Sequence, residues 1–169
     1  MMTHEENYLA WLKDAHAMEK QAESMLEKMA SRLEHYPDLK ARIQQHIEET
    51  RQQQTLLQSV IDRNDTSHSA FKDAMGKLSA MGQAMGGMLA DDEVVKGAIS
   101  GYVFEQFEIA NYTSLIAAAQ LVGDQEGVRI FEQIREQEIA MAEWCLTHLP
   151  DVTQQFMTRD AAEGVEAKK

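Results

Sequence analysis

The sequence predicts an all-α protein built from four long helices, and three features of the 169-residue chain support this fold class. Proline and glycine, the residues that most often interrupt helices, number only 2 and 9. Alanine, methionine, leucine, glutamate and glutamine are abundant, and each favours helix intrinsically. Apolar residues recur at intervals of three and four along most of the chain, which is typical of helices with one buried face.

The first half of the chain predicts a helical hairpin. Thr3 followed by Glu6 has the pattern of a capping box, so a first helix is expected to begin there and continue to about His35. Pro37 stops that helix and, because proline is tolerated in a first helical turn, begins a second helix that extends to about Arg63. A connection this short makes the two helices antiparallel.

The second half of the chain predicts another hairpin. A helix is expected from Asp91 or Asp92 to about Val122, and Gly123 suits the left-handed conformation that commonly follows a helix end. Asp124 is then placed to cap a final long helix. The short connection again indicates an antiparallel pair.

The remaining segments complete the predicted architecture. Pro150 is expected to end the last long helix, so residues 1–150 are assigned to a bundle domain and residues 151–169 to a C-terminal extension and tail. A weaker, short helix is expected at 67–85, in the segment that joins the two hairpins. Two hairpins joined by one long crossover have the connectivity of a ferritin-like four-helix bundle.

Composition and charge exclude several classes of function. Lys and Arg total 16 against 28 Asp and Glu, and the resulting formal charge of −12 would repel the phosphates of a nucleic acid. The single cysteine, Cys145, forms neither an internal disulfide nor a thiolate zinc site. No stretch has the roughly 18–20 apolar residues of a transmembrane helix, and the N-terminus lacks a signal-peptide pattern. We therefore expect a cytoplasmic protein without nucleic-acid or membrane partners.

Acidic residues interrupt the apolar faces of the predicted long helices. Glu19, Glu105 and Glu138 each lie near mid-helix, at a position where the spacing predicts an apolar side chain. On the second helix, His46, Glu49 and Gln53 share a flank beside the apolar line. Because unpaired buried carboxylates are costly, inward acids need a cation between them or must hold protons. Carboxylates suit hard divalent cations, so the pattern indicates a candidate metal site.

Three segments resemble the YciE/YciF family of bacterial ferritin-like stress proteins, and the YciE branch most closely. These segments are Asp14-Ala-His-Ala-Met-Glu-Lys-Gln, His46-Ile-Glu-Glu-Thr and Phe104-Glu-Gln-Phe-Glu-Ile-Ala-Asn-Tyr. The likeness covers nearly the whole chain and includes Glu-Gly-Val-Glu-Ala-Lys-Lys at 163–169. It implies a ferritin-like bundle, a homodimer, expression associated with stress, and kinship with rubrerythrin-type di-iron proteins.

The resemblance also implies a set of metal ligands. Ferritin-like di-iron proteins take a single Glu from each of two helices and a Glu-x-x-His pair from each of the other two. Glu19 and Glu105 match the single glutamates, and Glu108 matches a further acid of rubrerythrin-like proteins. Glu49 and Glu138 match the first members of the two pairs.

The two histidines of the family pattern are absent from this sequence. Gln52 and Met141 stand at their positions. His46 precedes Glu49 by one turn, so a reversed His-x-x-Glu pair is an alternative on the second helix. No residue replaces the histidine on the last helix, where methionine is a poor ligand for Fe or Mn. The sequence is compatible with a site that binds one metal ion, two metal ions or none.

Two hypotheses for function follow from the sequence. The first is a stress-associated protein with a carboxylate-rich Fe or Mn site, as one or two ions, that is redox active towards oxygen or peroxide. The second is a metal-free structural or interaction protein in which the inward acids pair with Arg42 and His46. The sequence assigns no substrate and no catalytic residue, and it leaves open whether the protein is an enzyme.

Overall fold

Four long helices make up the part of the chain that the structure describes, as the sequence predicts. The computed structural model describes residues 1–65, 94–162 and 164. The helices are α1 (His4–Arg32), α2 (Pro37–Asn64), α3 (Val94–Val122) and α4 (Gln125–Asp160). Within those described residues there is no strand, and none of the helices is long and apolar enough to cross a membrane. The short helix predicted at 67–85 and the helix start predicted at Asp91 or Asp92 lie outside them.

The hairpin of α1 and α2 follows the predicted local signals. Glu6 N–H donates to Thr3 Oγ1 at 3.1 Å, and Thr3 N–H donates to Glu6 Oε2 at 2.7 Å. This capping box satisfies amide groups that the first helical turn leaves without partners. α1 ends at Arg32, slightly before the predicted His35, and Pro37 is the first residue of α2.

A tight turn joins α3 to α4. Gly123 has a φ of 79°, in the left-handed region that glycine adopts without strain. The carboxylate of Asp124 accepts a hydrogen bond from Gly127 N–H at 2.9 Å and so caps α4. Both features agree with the prediction for this turn.

The predicted end of the last helix at Pro150 is wrong, because α4 continues to Asp160 with Pro150 inside it. An interior proline costs a helix about 3 kcal/mol, since it removes one hydrogen bond and crowds the preceding turn. Beyond it, Val152 is buried and Phe156 packs against an apolar cluster. Burial of such side chains is worth about 1.5 to 3 kcal/mol each, which offsets the local penalty. The division of the chain at residue 150 remains a prediction.

A polar layer separates two apolar clusters in the interior of the bundle. α1 packs against α2 and α3, and α4 packs against α3 and α2. Along α4, Ile134 belongs to the first cluster and Met141 to the second, and the fully buried Glu138 lies between them. On α2, the fully buried His46 lies next to Ile47 of the second cluster. The fold therefore places charged residues at mid-height in an apolar interior.

Candidate metal centre

Four buried side chains from three helices lie close enough together to bind a metal ion. They are His46 from α2, Glu105 and Glu108 from α3, and Glu138 from α4. Each offers a nitrogen or oxygen atom within 4.8 Å of the atoms that the other three offer. Each residue is at most 3% exposed. Glu105 and Glu108 are one turn apart on α3, which explains why both face the interior.

Carboxylates surround the imidazole of His46. Nδ1 lies 2.8 Å from Oε2 of Glu49, one turn later on α2. Nε2 lies 3.3 Å from an oxygen of Glu105 and 3.3 Å from an oxygen of Glu138, without hydrogen-bond geometry to either. Glu49 thus fixes the orientation of the ring, and Nε2 points between two carboxylates where a cation would be bound.

Glu19 of α1 lies beside this group of four. It is fully buried, and the hydroxyl of Tyr112 on α3 donates a hydrogen bond to its Oε1 atom. Its other oxygen, Oε2, has no hydrogen-bond partner. Burial, together with the charge of Glu138, raises the pKa of Glu19 well above its usual value. The structure therefore places a further carboxylate from the remaining helix next to the centre.

Glu49 lies at the edge of the centre. Its side chain is 19% exposed, and it accepts a hydrogen bond from Gln45 Nε2 at 2.9 Å as well as its contact with His46. The guanidinium of Arg42 approaches it to 3.7 Å. Burial acts to raise the pKa of Glu49, but the hydrogen bond from His46 and the charges of His46 and Arg42 lower it. Glu49 is therefore an ionised carboxylate that holds the far side of the histidine.

The buried acids outnumber the cationic groups that contact them. Burial raises the pKa of Glu138 to about 7, although its contact with the imidazole of His46 opposes this. Burial and the charge of Glu138 raise the pKa of Glu108 well above its usual value. Burial alone would lower the pKa of His46, but the charge of Glu105 and the close contacts with Glu105, Glu138 and Glu49 raise it to about 12. One imidazolium cannot neutralise this many carboxylates, so the centre needs protons or a metal ion.

The buried oxygen and nitrogen atoms without hydrogen-bond partners indicate which kind of ion suits the centre. Among the described residues of the centre, unpartnered oxygen or nitrogen atoms belong to Glu19 (Oε2), His46 (Nε2), Gln53 (Oε1), Glu105 (Oε2), Glu108 (Oε1 and Oε2) and Glu138 (Oε2). Carboxylates cannot donate hydrogen bonds to one another unless one of them holds a proton. An oxygen-rich set with one imidazole nitrogen is a suitable environment for Fe or Mn. The donor set therefore fits the predicted ions.

Gln53 is not among the predicted site residues, although the spacing places it on the flank of α2 that His46 and Glu49 share. It is fully buried, and its amide donates a hydrogen bond to Oε1 of Glu138. Spacing gave its face of the helix but not this contact. Gln52, at the position of a family histidine, is exposed, and Met141, at the position of the other, belongs to the second apolar cluster. Neither contributes to the group of four.

Solved structures that are similar to this chain include the following three. A protein from Xanthomonas campestris is 41% identical, with a TM-score of 0.79, over 95% of this chain and 100% of that chain. The E. coli stress protein YciF is 20% identical, with a TM-score of 0.75, over 89% of this chain and 97% of that chain. YcfI from Rhodopseudomonas palustris is 26% identical, with a TM-score of 0.68, over 87% and 95%. The architecture is thus that of a ferritin-like helical bundle.

A sequence family matches nearly the whole chain. Its description is "Domain of unknown function (DUF892)", and the match extends over residues 3–158. The match, together with the fold shared with YciF and YcfI, agrees with the resemblance to YciE/YciF-like proteins. The chain therefore belongs to the DUF892 family.

Proposed function

We propose that this protein is a stress-associated metalloprotein with an Fe or Mn site at the centre of the bundle. The observation that carries the proposal is the buried group of His46, Glu105, Glu108 and Glu138, whose donor atoms converge and lack other partners. YciF, whose fold this chain shares, is an E. coli stress protein. We propose a stress-associated role for this chain as well. We also propose that its site binds one or two ions.

The ligands in this proposal come from all four helices. Nε2 of His46 and the unpartnered oxygens of Glu105, Glu108 and Glu138 would hold the first ion. Oε2 of Glu19 is the additional donor for a second ion or for exchange of ligands. A bound Fe or Mn ion supplies redox chemistry towards oxygen or peroxide.

Other residues of the centre orient these ligands. Glu49 holds Nδ1 of His46, Gln53 donates to Glu138, and the hydroxyl of Tyr112 donates to Glu19. Each contact occupies one side of a ligand and leaves another atom of that ligand without a partner. Such outer contacts fix the orientation of metal ligands and tune their basicity.

Metal analysis tests the proposal directly. Protein produced in medium supplemented with iron or manganese is expected to contain stoichiometric metal, and Glu105→Gln and Glu138→Gln are expected to lose it. Glu132→Gln, an exposed change on α4, is the matched control and should retain the metal. Free metal at one hundred times Kd should stabilise the wild-type protein by about 2.7 kcal/mol, and a chelator should reverse this.

The same measurements can also refute the proposal. Wild-type protein that takes up neither metal, and whose thermal midpoint is unchanged by chelators, would show that the centre is not a metal site. Consumption of oxygen or peroxide by the metal-loaded protein then tests redox activity separately. Full metal occupancy without consumption would contradict the redox part of the proposal and leave metal binding intact.

A metal-free structural or interaction protein is the second candidate. His46, with a pKa raised to about 12, contacts three glutamates, and Arg42 approaches Glu49 to 3.7 Å. These two cations lie against Glu49, Glu105 and Glu138. They leave Glu19 and Glu108, whose pKa values are raised by burial and neighbouring charge, to hold protons. This candidate predicts no response of stability to Fe, Mn or chelators.

We also propose a homodimer that forms through the outward face of α3. Ile99, Val103 and Leu121 are 43%, 47% and 66% exposed on this helix. Lys96 is the one exposed charged residue along α3, since its two glutamates are buried in the centre. Two copies with a formal charge of −12 each repel one another least where this neutral face meets itself. Val103→Glu is expected to convert a dimer into a monomer in light scattering, and a monomeric wild-type protein would exclude the dimer.

Two further assignments are proposals from the sequence. The single cysteine suits a reducing compartment, which supports a cytoplasmic location. The segments at 104–112 and 163–169 support placement in the YciE branch. Cell fractionation tests the first assignment, and a comparison of these segments across the family tests the second.

A further inference from the structure

A narrow cavity of about 20 Å³ lies between α1 and α3 and reaches Glu105. Met25 and Met29 of α1 line one side, and Gly97 and Gly101 of α3 line the other. These four residues are half-buried, whereas Glu105 is 3% exposed. The cavity therefore extends from half-buried residues to Glu105, a buried residue of the metal centre. About 10–15 Å³ is enough for one water-sized molecule, so the space admits one small molecule at a time.

The glycines are the unusual part of this cavity. Gly97, Gly101, Glu105 and Glu108 follow one another at intervals of four, four and three residues, and so share one face of α3. A Cβ atom added at Gly101 would meet no atom within 4 Å, and the φ of Gly101 is not positive. Neither packing nor backbone conformation therefore requires glycine here, although it costs a helix about 1 kcal/mol relative to alanine. What this glycine provides is open space next to Glu105.

The chemistry of the walls indicates which molecules enter the cavity. Among the described residues that line it, Glu105 carries the charge, and the others are methionine, leucine, alanine, phenylalanine and glycine. Such walls offer a hydrated ion or a hydrogen peroxide molecule almost no hydrogen bonds in exchange for those lost from water. An apolar diatomic molecule loses no hydrogen bonds on entering. The lining therefore favours dioxygen over peroxide.

We infer that this cavity is the route by which dioxygen reaches the buried carboxylates, with Gly101 setting its width. The inference rests on the proposed metal function and names dioxygen as the small molecule that the centre receives. It also gives Met25 and Met29 a role as the apolar walls of the route, beyond filling the space between α1 and α3.

The test uses metal-free protein labelled with ¹³C in the methionine methyl groups, so that its result does not depend on metal binding. Dissolved dioxygen is paramagnetic and broadens the NMR signals of nuclei that it approaches. We expect Met25 and Met29 to broaden at least about twofold more than the exposed Met157, because apolar cavities take up apolar gases. Gly101→Leu should remove this excess. Ala110→Leu, on the exposed side of the same helix, should leave it unchanged.

A milder variant keeps the test valid if the leucine variant does not fold. Gly101→Ala adds one methyl group to open space and should reduce the excess broadening in part, while raising helix stability. Equal broadening at Met25, Met29 and Met157 in the wild-type protein would overturn the inference. An excess that is unchanged in both Gly101 variants would overturn it too.

Metal analysis of the same proteins separates this inference from the proposed function. A Gly101→Leu protein with wild-type metal content and no excess broadening supports a route that is distinct from the ligands. A wild-type protein that binds no metal refutes the proposed function, and with it the role of the route, whatever the broadening shows. Wild-type metal content without excess broadening refutes the route alone.

Discussion

Two clusters of polar residues in this bundle are built in opposite ways. At the turn before α4, the carboxylate of Asp124 accepts from Gly127 N–H and the hydroxyl of Tyr8, both at 2.9 Å. It also accepts from Arg63 at 3.2 Å and from Asn64 at 3.4 Å. Burial acts to raise the pKa of Asp124, but these donors and the charge of Arg63 lower it. This cluster is complete with the residues of the chain alone.

The central cluster, by contrast, is not completed by the described residues of the chain. Its glutamates face one another across an apolar interior, several of their oxygens have no partner, and burial raises the pKa values of Glu19, Glu108 and Glu138. A satisfied network such as that of Asp124 stabilises a fold, whereas an unsatisfied one is costly and is typical of a functional site. The comparison therefore separates a structural cluster from one whose buried acids need protons or a cation.

The largest expected difference between the clusters is in their response to pH. Folding raises the pKa of Glu138 to about 7 and that of His46 to about 12, and it also raises the pKa values of Glu19 and Glu108. A group whose pKa is higher in the folded protein than in the unfolded chain contributes its full stabilisation at pH values below its pKa in the unfolded chain. That pKa is about 4.3 for Glu and about 6.5 for His. That stabilisation is lost as the pH rises through the folded value. Metal-free protein should therefore lose several kcal/mol of unfolding free energy between about pH 5 and about pH 8.

Urea unfolding at a series of pH values measures this loss. Folding lowers the pKa of Asp124, so this group changes the unfolding free energy with pH only below about pH 4. The structural cluster therefore does not contribute to the pH dependence of stability between about pH 5 and about pH 8. Saturating Fe or Mn should flatten or reverse the slope, because a metal ion requires the ionised carboxylates. A metal-free protein whose stability is constant over the window would contradict the electrostatic description of the centre.

Substitution of one central acid gives the next largest effect. Glu138→Gln keeps the shape of the side chain and removes one buried charge. The rise in pKa from 4.5 to about 7 corresponds to a cost on the order of 3 kcal/mol for the ionised form. The metal-free variant should therefore be more stable than the wild-type protein by about that amount near pH 8, and should gain little from metal. Glu132→Gln at the exposed surface of α4 should change neither quantity by more than about 0.5 kcal/mol.

The sequence predicts the features of the fold in which local signals and burial agree. Thr3, Gly123 and Asp124 each carry a local preference that the fold keeps. The acids in the apolar stripes also predicted a buried centre. Pro150 was misread because its local penalty is offset by the burial of Val152 farther along, which only the tertiary structure reveals.

The finer geometry of the centre could not be predicted in the same way. The spacing placed Glu49 on a flank beside the apolar line, and the family resemblance matched it to a ligand, but its side chain lies at the edge of the centre, where it contacts Nδ1 of His46. Gln53 lies in the centre although it has no charge, because its amide donates a hydrogen bond to Glu138. Spacing along a helix fixes which face a residue occupies, whereas rotamers and partners decide which atoms meet.

Removal of the central residue of the structural cluster should have a smaller effect, independent of metal. Asp124→Ala deletes the cap of α4 and leaves the hydroxyl of Tyr8 without its acceptor. Loss of such a cap costs about 1 to 2 kcal/mol, so we expect a total near 2 kcal/mol in urea unfolding. Asp124→Asn, which can still cap the helix, should retain most of the stability. Reduced metal content in Asp124→Ala would contradict the separation of the two clusters.

The smallest and most discriminating prediction compares two tyrosines that each donate to a carboxylate. Tyr8→Phe removes a hydrogen bond to an Asp124 that keeps other donors, so it should cost about 1 kcal/mol with or without metal. Tyr112→Phe removes the donor to Glu19, whose other oxygen already lacks a partner. Its cost should change when Fe or Mn is added, because a cation would then contact the carboxylate that the hydroxyl no longer reaches. Urea unfolding of both variants with and without metal makes the comparison, and equal metal dependence for the two tyrosines would show that the clusters do not differ as described.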